Sequence, residues 1–177
     1  MIVIHIGMLD DSARLYKMYE NLANIIVLRD TAREKVEAVL KQFPHEKVML
    51  LGHGSRDGLW ASNRNRFIID EFNVDLLKKR TVIGIWCYAS EFADRYGLHG
   101  FFTSMFISNI EEAIIMLSFC EHESEEITKQ LDLFSYRIRE LLLRNEPMNT
   151  WVEYLQSKAD CSIPFVRFNY EALTYYD

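Results

Sequence analysis

Glycine, proline and cysteine are scarce in this chain. Its 177 residues include 7 glycines, 3 prolines and 3 cysteines. None of the glycines has the spacing of a phosphate-binding or dinucleotide-binding loop, which excludes the common nucleotide-binding folds. The Gly-x-Ser-x-Gly pentapeptide of α/β-hydrolases is missing as well. Cys87, Cys120 and Cys161 are odd in number and far apart, which predicts free thiols in a reducing, cytoplasmic setting rather than a disulfide framework.

Excess positive charge and long apolar runs are also lacking. The net charge is −6, and no cluster of Lys or Arg stands out, so we expect no binding of nucleic acid or anionic membrane through a basic face. No apolar stretch approaches the about 20 residues of a membrane-spanning helix. The first residues lack a basic region and reach Asp10 too soon for a signal peptide. With 49% hydrophobic residues, the sequence predicts one globular domain over residues 1–177.

Strand-like and helix-like segments alternate through the first two thirds of the chain. This alternation predicts a three-layer α/β fold, with a mostly parallel central sheet and helices on both faces. Thr31-Ala-Arg-Glu34 has the spacing of a helix capping box, and Asn109-Ile-Glu-Glu112 predicts another capped helix start. Strands are predicted at 2–8, 24–28, 47–52, 58–61, 81–86, 103–108 and 162–169. Helices are predicted at 11–22, 31–43, 69–79, 90–96, 109 onward, 124–142 and 150 onward.

Two of these strands end at reactive side chains that lie 34 residues apart (87 − 53). The first is Val48-Met-Leu-Leu-Gly-His53-Gly54-Ser55, and the second is Thr81-Val-Ile-Gly-Ile-Trp-Cys87. Parallel strands end at the same edge of a sheet, where α/β folds place their sites, and adjacent strands lie about 4.8 Å apart. A thiol beside an imidazole is the pair with which cysteine peptidases attack a carbonyl and transfer a proton. The backbone amides of Gly54 and Cys87 could hold the oxyanion that forms.

This arrangement resembles the caspase-like cysteine peptidases, a superfamily that includes clostripain, gingipain, separase and the CHAT-type peptidases. In these proteins an apolar strand ending in His-Gly is followed, a few tens of residues later, by an apolar strand ending in Cys. Asp57-Gly58-Leu59-Trp60 is similar to their short strand after the His, and 69–79 is similar to their crossover helix. Residues 104–109 fall where the family places its next core strand and part of its substrate pocket. The resemblance covers about residues 1–120.

The resemblance implies a role for each matching residue. Cys87 would be the nucleophile, His53 the general base and acid, and the Gly54 and Cys87 amides the oxyanion hole. Pocket residues would include Asp10 and Asp11 at the end of the first strand, with Ser108 and Asn109 further along the chain. Many members carry an acidic residue two positions before the Cys, where it recognises a basic substrate residue, but Ile85 stands there in this sequence. The family implies a peptide or protein substrate and neither a cofactor nor a metal.

Two other interpretations stay open. The first is a catalytically inactive caspase-like module with a binding or regulatory role, acting through partners or as a homodimer. An active peptidase should instead have a Cys87 thiolate that reacts with iodoacetamide before Cys120 and Cys161. The second is a metal chelatase, because Gly52-His-Gly-Ser-Arg-Asp57 is similar to a metal-binding stretch of the sirohydrochlorin-type enzymes. In those enzymes the motif closes the first strand, whereas two predicted strands precede it here. A second metal-binding His at a later strand end is also expected, and neither His99 nor His122 follows an apolar strand.

Overall fold

A six-stranded sheet forms the centre of the molecule. The computed structural model describes residues 1–118 and 124–177. The sheet has the order β2-β1-β3-β7-β8-β9, and all neighbouring strands in it are parallel except the antiparallel pair β8 and β9. The predicted α/β fold with a mostly parallel sheet is therefore confirmed. The strands are β1 (Ile2–His5), β2 (Ile26–Arg29), β3 (Val48–Leu51), β4 (Gly54–Ser55), β5 (Gly58–Trp60), β6 (Phe67–Ile69), β7 (Val82–Ile85), β8 (Gly100–Thr103) and β9 (Leu173–Tyr176).

Alternate residues of the central strands enter two separate hydrophobic cores. Because both faces of the sheet are covered, these strands read as continuous apolar runs rather than as alternating patterns. One face contributes Val3, Met49, Leu51, Ile83, Ile85 and Phe101, all buried. The other face contributes Ile2, Ile4, Val48, Leu50, Val82 and Phe102.

Helices cover both faces and complete three layers. A 3₁₀ helix (Asp11–Met18) packs beside α4 on one face, where the predicted amphipathic stripe of α4 is buried. Helices α1 and α2 and a small antiparallel sheet of β4, β5 and β6 cover the other face. Within the described ranges, no helix is long and apolar enough to cross a membrane. The helices are α1 (Arg33–Gln42), α2 (Ala89–Tyr96), α3 (Ile110–Leu117), α4 (Ser124–Leu143), α5 (Trp151–Lys158) and α6 (Pro164–Glu171).

The prediction of a crossover helix over 69–79 is wrong. That segment contains the end of β6 and a short 3₁₀ turn (Val74–Leu76). The Asp70 carboxylate accepts two hydrogen bonds from Arg33 at 2.6 and 2.8 Å, and the Asn73 amide oxygen accepts one from the Asp70 N–H. Such side-chain bonds to nearby backbone compete with the regular pattern of a helix.

The prediction of a last strand over 162–169 is also wrong, because this segment is helix α6. Pro164 opens the helix, where its missing N–H costs nothing and its fixed φ suits the first turn. The last strand is β9, directly after the helix. The strand predicted at 103–108 lies earlier, as β8, and 104–109 forms a loop.

Helix and strand ends were predicted with mixed success. The capping box at Thr31 does not form: its hydroxyl donates to the Arg29 carbonyl, and α1 begins after Ala32 without a side-chain cap. The Asn109 cap of α3 is confirmed, since its side-chain oxygen accepts from the Glu112 N–H at 2.9 Å. Gly97 ends α2 with φ 62°, as its position predicts. The strand predicted at 2–8 is shorter and ends at His5. The segment 11–22, predicted as an α-helix, contains the 3₁₀ helix Asp11–Met18.

Asn169 fastens the loop 104–109 to α6. Its side-chain oxygen accepts from the Ile107 N–H at 2.7 Å, and its amide group donates to the Ile107 carbonyl at 2.8 Å. Both Asn169 and Ile107 are buried. The two bonds therefore satisfy the backbone N–H and carbonyl of Ile107, which would otherwise need a neighbouring strand as partner. The loop that continues from β8 past the ends of β3 and β7 is thereby held in one position.

We expect Asn169→Ala to lower the free energy of unfolding by about 2 kcal/mol or more, because it leaves the Ile107 N–H and carbonyl buried without partners. Urea unfolding followed by circular dichroism measures the change. Glu171→Ala, an exposed position on the same helix, is the control and should stay within about 0.5 kcal/mol of the parent. Equal effects of both substitutions would contradict this role of Asn169.

Candidate active site

His53 and Cys87 lie at the carboxyl ends of two neighbouring strands. Strands β3 and β7 pair in parallel, with Leu51 opposite Ile85, so each side chain follows its strand by two residues at the same edge of the sheet. Both side chains line one cavity of about 20 Å³, which has room for one or two water molecules. The adjacency predicted from the two strand ends is therefore what the structure has.

Cys87 sits in a sharp turn between β7 and α2. The next residue, Tyr88, has φ 69° and ψ 24°, a left-handed conformation that is uncommon outside glycine and asparagine. Strained backbone of this kind concentrates at functional sites, where the surrounding structure maintains it. The turn directs the thiol into the cavity, where it donates a weak hydrogen bond to the Phe106 carbonyl at 3.8 Å.

Burial raises the pKa of the Cys87 thiol to about 11. The negative charges of Glu112 and Asp11 raise this pKa further, because they repel a thiolate. The resting thiol is consequently protonated at neutral pH. This state differs from the reactive thiolate that the sequence alone suggested.

Asp11 joins His53 to the loop 104–109. Its Oδ1 atom lies 3.0 Å from the His53 Nε2, and its Oδ2 atom accepts hydrogen bonds from Ser108 Oγ and Asn109 Nδ2, both at 2.6 Å. Asp10 is close as well, with Oδ2 at 3.4 Å from the same nitrogen. All four residues predicted to form a pocket thus gather around His53, although they come from two distant parts of the chain.

The hydrogen bond to Asp11 raises the pKa of His53 above its ordinary value of 6.5, although burial opposes the charged imidazole. Burial likewise disfavours the Asp11 carboxylate, yet the bonds from His53, Ser108 and Asn109 hold the pKa of Asp11 well below its usual range. An ionised carboxylate only accepts hydrogen bonds, so the His53 Nε2 carries a proton. In the neutral imidazole, Nδ1 is then the nitrogen that can take a proton.

Glu112 is a site residue that sequence reasoning missed. Its Oε2 accepts from the Ser108 N–H at 2.8 Å and lies 3.0 Å from the Ser108 hydroxyl. Burial raises the pKa of Glu112, and the nearby charge of Asp11 adds to this effect. In the sequence, its position three residues after Asn109 indicated only the start of a helix. Only the fold turns this helix start toward Asp11 and Cys87.

Gly54 is required by the packing of Trp86. A Cβ at position 54 would lie 2.1 Å from Cδ1 of the Trp86 ring, which is buried and donates to the Ser55 carbonyl at 3.1 Å. Gly54 of β4 lies opposite Leu59 of β5. The neighbouring pair, His53 and Trp60, is hydrogen-bonded, because the Trp60 N–H donates to the His53 carbonyl. Since the two kinds of pair alternate, Gly54 and Leu59 form a non-hydrogen-bonded pair. The Gly54 N–H therefore points away from β5.

A set of three residues has the chemistry of a metal site. Within 1–118 and 124–177, Asp10, Asp11 and His53 form the one group that brings three ligand atoms within 4.8 Å of one another. Carboxylate oxygen and imidazole nitrogen suit several divalent ions. Cys161 is exposed, and Cys120 and His122 lie outside the described residues.

The surface also has a larger, open groove. Its volume is about 480 Å³, and its lining includes Ser90, Ser104, Met105 and Phe168. Met105 directly precedes Phe106, whose carbonyl contacts the Cys87 thiol.

Comparisons with known proteins assign no family to this chain. No protein-family model matches the chain, and neither does any curated protein. The resemblance to caspase-like peptidases consequently depends on the two strand ends and the residues around them.

The charged pair of Asp11 and His53 should make stability depend on pH. The raised pKa of His53 contributes stability fully below pH 6.5, and this contribution is lost as the pH rises through the raised value. The lowered pKa of Asp11 contributes stability above its ordinary value of 3.8. We expect His53→Gln, which keeps a donor but no charge, to lower the free energy of unfolding by about 1–2 kcal/mol near pH 5.5.

The difference should shrink toward about pH 9, where His53 is neutral in both folded and unfolded chains. Urea titrations of both proteins at the two pH values measure it. His45→Gln, at an exposed histidine, is the matched control and should show no such pH dependence. A His53→Gln deficit that stayed constant from pH 5.5 to 9 would refute the charged pair.

Proposed function

We propose that this chain is a caspase-like cysteine peptidase that hydrolyses peptide bonds through Cys87 and His53. The observation that carries the proposal is the cavity at the ends of β3 and β7, which Cys87 and His53 both line. Asp11 acts as the third member, because it fixes the His53 tautomer in which Nδ1 accepts a proton. The strained turn at Tyr88 and the Gly54 amide, which is not used in pairing with β5, support the same role.

Each step of the reaction has a group to perform it. Nδ1 of His53 takes the proton of the Cys87 thiol as the sulfur attacks the substrate carbonyl, and the carbonyl oxygen becomes an oxyanion held by the Gly54 and Cys87 amides. His53 then gives its proton to the leaving amine, and the C–N bond breaks to leave a thioester on Cys87. Water, deprotonated by His53, attacks the thioester, and the thiol is released with the carboxylate product.

The surrounding carboxylates favour a substrate with Lys or Arg at the cleaved bond. Asp10, Asp11 and Glu112 place negative charge around the cavity, and Asp11 and Glu112 raise the pKa of Cys87. A bound cation would offset this charge and so favour the thiolate when the substrate arrives. In the proposed peptidase these carboxylates would recognise a basic substrate residue, since Ile85 cannot.

The cavity lined by Cys87 and His53 is small, and its thiol is protonated at neutral pH. A cavity with room for one or two water molecules holds no Lys or Arg side chain, so binding of such a substrate requires the cavity to widen. An inactive binding module would also have a small cavity and a protonated thiol. Such a module is the second candidate function. The chelatase hypothesis draws support from the ligand set of Asp10, Asp11 and His53. The size of the cavity argues against the chelatase hypothesis, because the cavity is far smaller than a tetrapyrrole.

Fluorogenic peptides with Lys, Arg, Asp or Leu at the cleavage position provide the direct test. We expect turnover of the Lys and Arg peptides, loss of it in Cys87→Ala and His53→Ala, and a fall of about 100-fold or more in Asp11→Asn, which loses the orienting charge. Cys161→Ala, an exposed cysteine, should match the parent. No turnover of any peptide, or turnover that survives Cys87→Ala, would contradict the proposal. Metal insertion into a tetrapyrrole that required His53 but not Cys87 would favour the chelatase.

Alkylation by iodoacetamide tests the resting state of the thiol. The raised pKa of the half-buried Cys87 leads us to expect the opposite order from the one that the sequence suggests: near pH 7.5 the exposed Cys161 should react first. Near pH 9, Glu112→Gln removes a charge that opposes the thiolate and should speed Cys87 labelling about two- to fivefold. Glu111→Gln, at an exposed position of the same helix turn, should change nothing. Mass spectrometry of labelled peptides gives each rate, and equal rates in the two variants would exclude this effect of Glu112.

A further inference from the structure

His5 is a buried histidine that the proposed reaction does not use. It ends β1, and both of its ring nitrogens have partners: Nδ1 lies 2.9 Å from the Tyr19 hydroxyl, and Nε2 lies 2.8 Å from the Ser12 carbonyl. A carbonyl only accepts, so Nε2 carries the proton of this imidazole. Tyr19 then donates its hydroxyl proton to Nδ1, and it accepts from Arg29 Nε at 3.2 Å.

These bonds form a chain with one direction, from Arg29 through Tyr19 and His5 to the Ser12 carbonyl. Each group acts as donor to the next, and the positive charge of Arg29 lies at the donating end. Because Arg29 cannot lose its proton and the carbonyl cannot donate, neither the tautomer of His5 nor the direction of the bonds can reverse. The chain thus holds the Ser12 carbonyl in a single orientation.

Ser12 is the residue directly after Asp11. Its N–H donates to the Asp10 carboxylate at 2.9 Å, and its hydroxyl lies 2.6 Å from the same Oδ1 atom and 3.0 Å from the carbonyls of Ile6 and Gly7. Ser12 therefore ties the start of the 3₁₀ helix to the end of β1. Asp11 lies between Asp10 and Ser12, so the backbone that presents its carboxylate is fixed on both sides.

We propose that His5 is a positioning residue, which holds Ser12 so that the Asp11 carboxylate reaches His53. This inference deepens the proposed peptidase, on which its catalytic consequence rests, but the geometric consequence stands without it. An apolar side chain at position 5 would fill the space in the core and leave the Ser12 carbonyl without its donor. The turn could then shift, and a displacement of about 1 Å at a catalytic group is enough to slow an enzyme about 100-fold.

The test compares His5→Leu with His5→Gln. The amide of Gln can still donate to Ser12, whereas Leu cannot. The readout is the downfield proton NMR signal of the His53 Nε2–H in its bond to Asp11, identified by its loss in His53→Ala. We expect this signal in the parent and in His5→Gln, and its loss or marked shift in His5→Leu. Leu40→Ala, a core truncation in α1, controls for lowered stability and should keep the signal.

Tyr19→Phe repeats the comparison in a variant that loses one oxygen atom and no hydrocarbon, and it should broaden or shift the same signal. For the peptidase, His5→Leu should lower kcat about tenfold or more and leave KM within about twofold, with His5→Gln restoring kcat. An unchanged His53 signal in folded His5→Leu and Tyr19→Phe would overturn the positioning role. Because the signal does not depend on turnover, it decides this point even if no peptide is cleaved.

Discussion

The hydrogen bond between Asp11 and His53 is the interaction on which the site depends. It joins the turn after β1 to the end of β3, and through the second oxygen of Asp11 it also joins the loop after β8. Three segments that are far apart in the chain are thus fixed by one carboxylate. The same bond determines which nitrogen of His53 carries a proton, and so which nitrogen is free for chemistry. Geometry and protonation in the site have one common origin.

The carboxylates that organise the site also add to the effect of burial in raising the pKa of the Cys87 thiol. Asp11 and Glu112 share the Ser108 hydroxyl and together oppose a thiolate at Cys87. In the proposed peptidase, a bound substrate cation would offset these charges and so couple recognition to reactivity. Accumulated negative charge in a small, partly buried volume makes this coupling strong, because solvent screens it poorly.

Much of the architecture could be predicted because the local signals agree with the fold. The apolar runs of the central strands, the stripe of α4 and the caps at Asn109 and Gly97 are confirmed. The failures share a cause: tertiary partners outweigh local preference. Asp70 and Asn73 bond to Arg33 and to nearby backbone and thereby prevent a helix, while the β-prone residues of 164–171 form a helix that carries Asn169 to its loop.

By itself, the sequence determined that His53 and Cys87 follow two apolar strands, and the rules of parallel sheets then place them side by side. It also singled out Asp10, Asp11, Ser108 and Asn109. Only the tertiary structure decided which of these groups bond to one another, that Glu112 joins them, and that burial raises the pKa of the Cys87 thiol. The reason is physical: strand ends are set by local patterns, whereas distances between side chains and the burial that shifts a pKa depend on how distant segments pack.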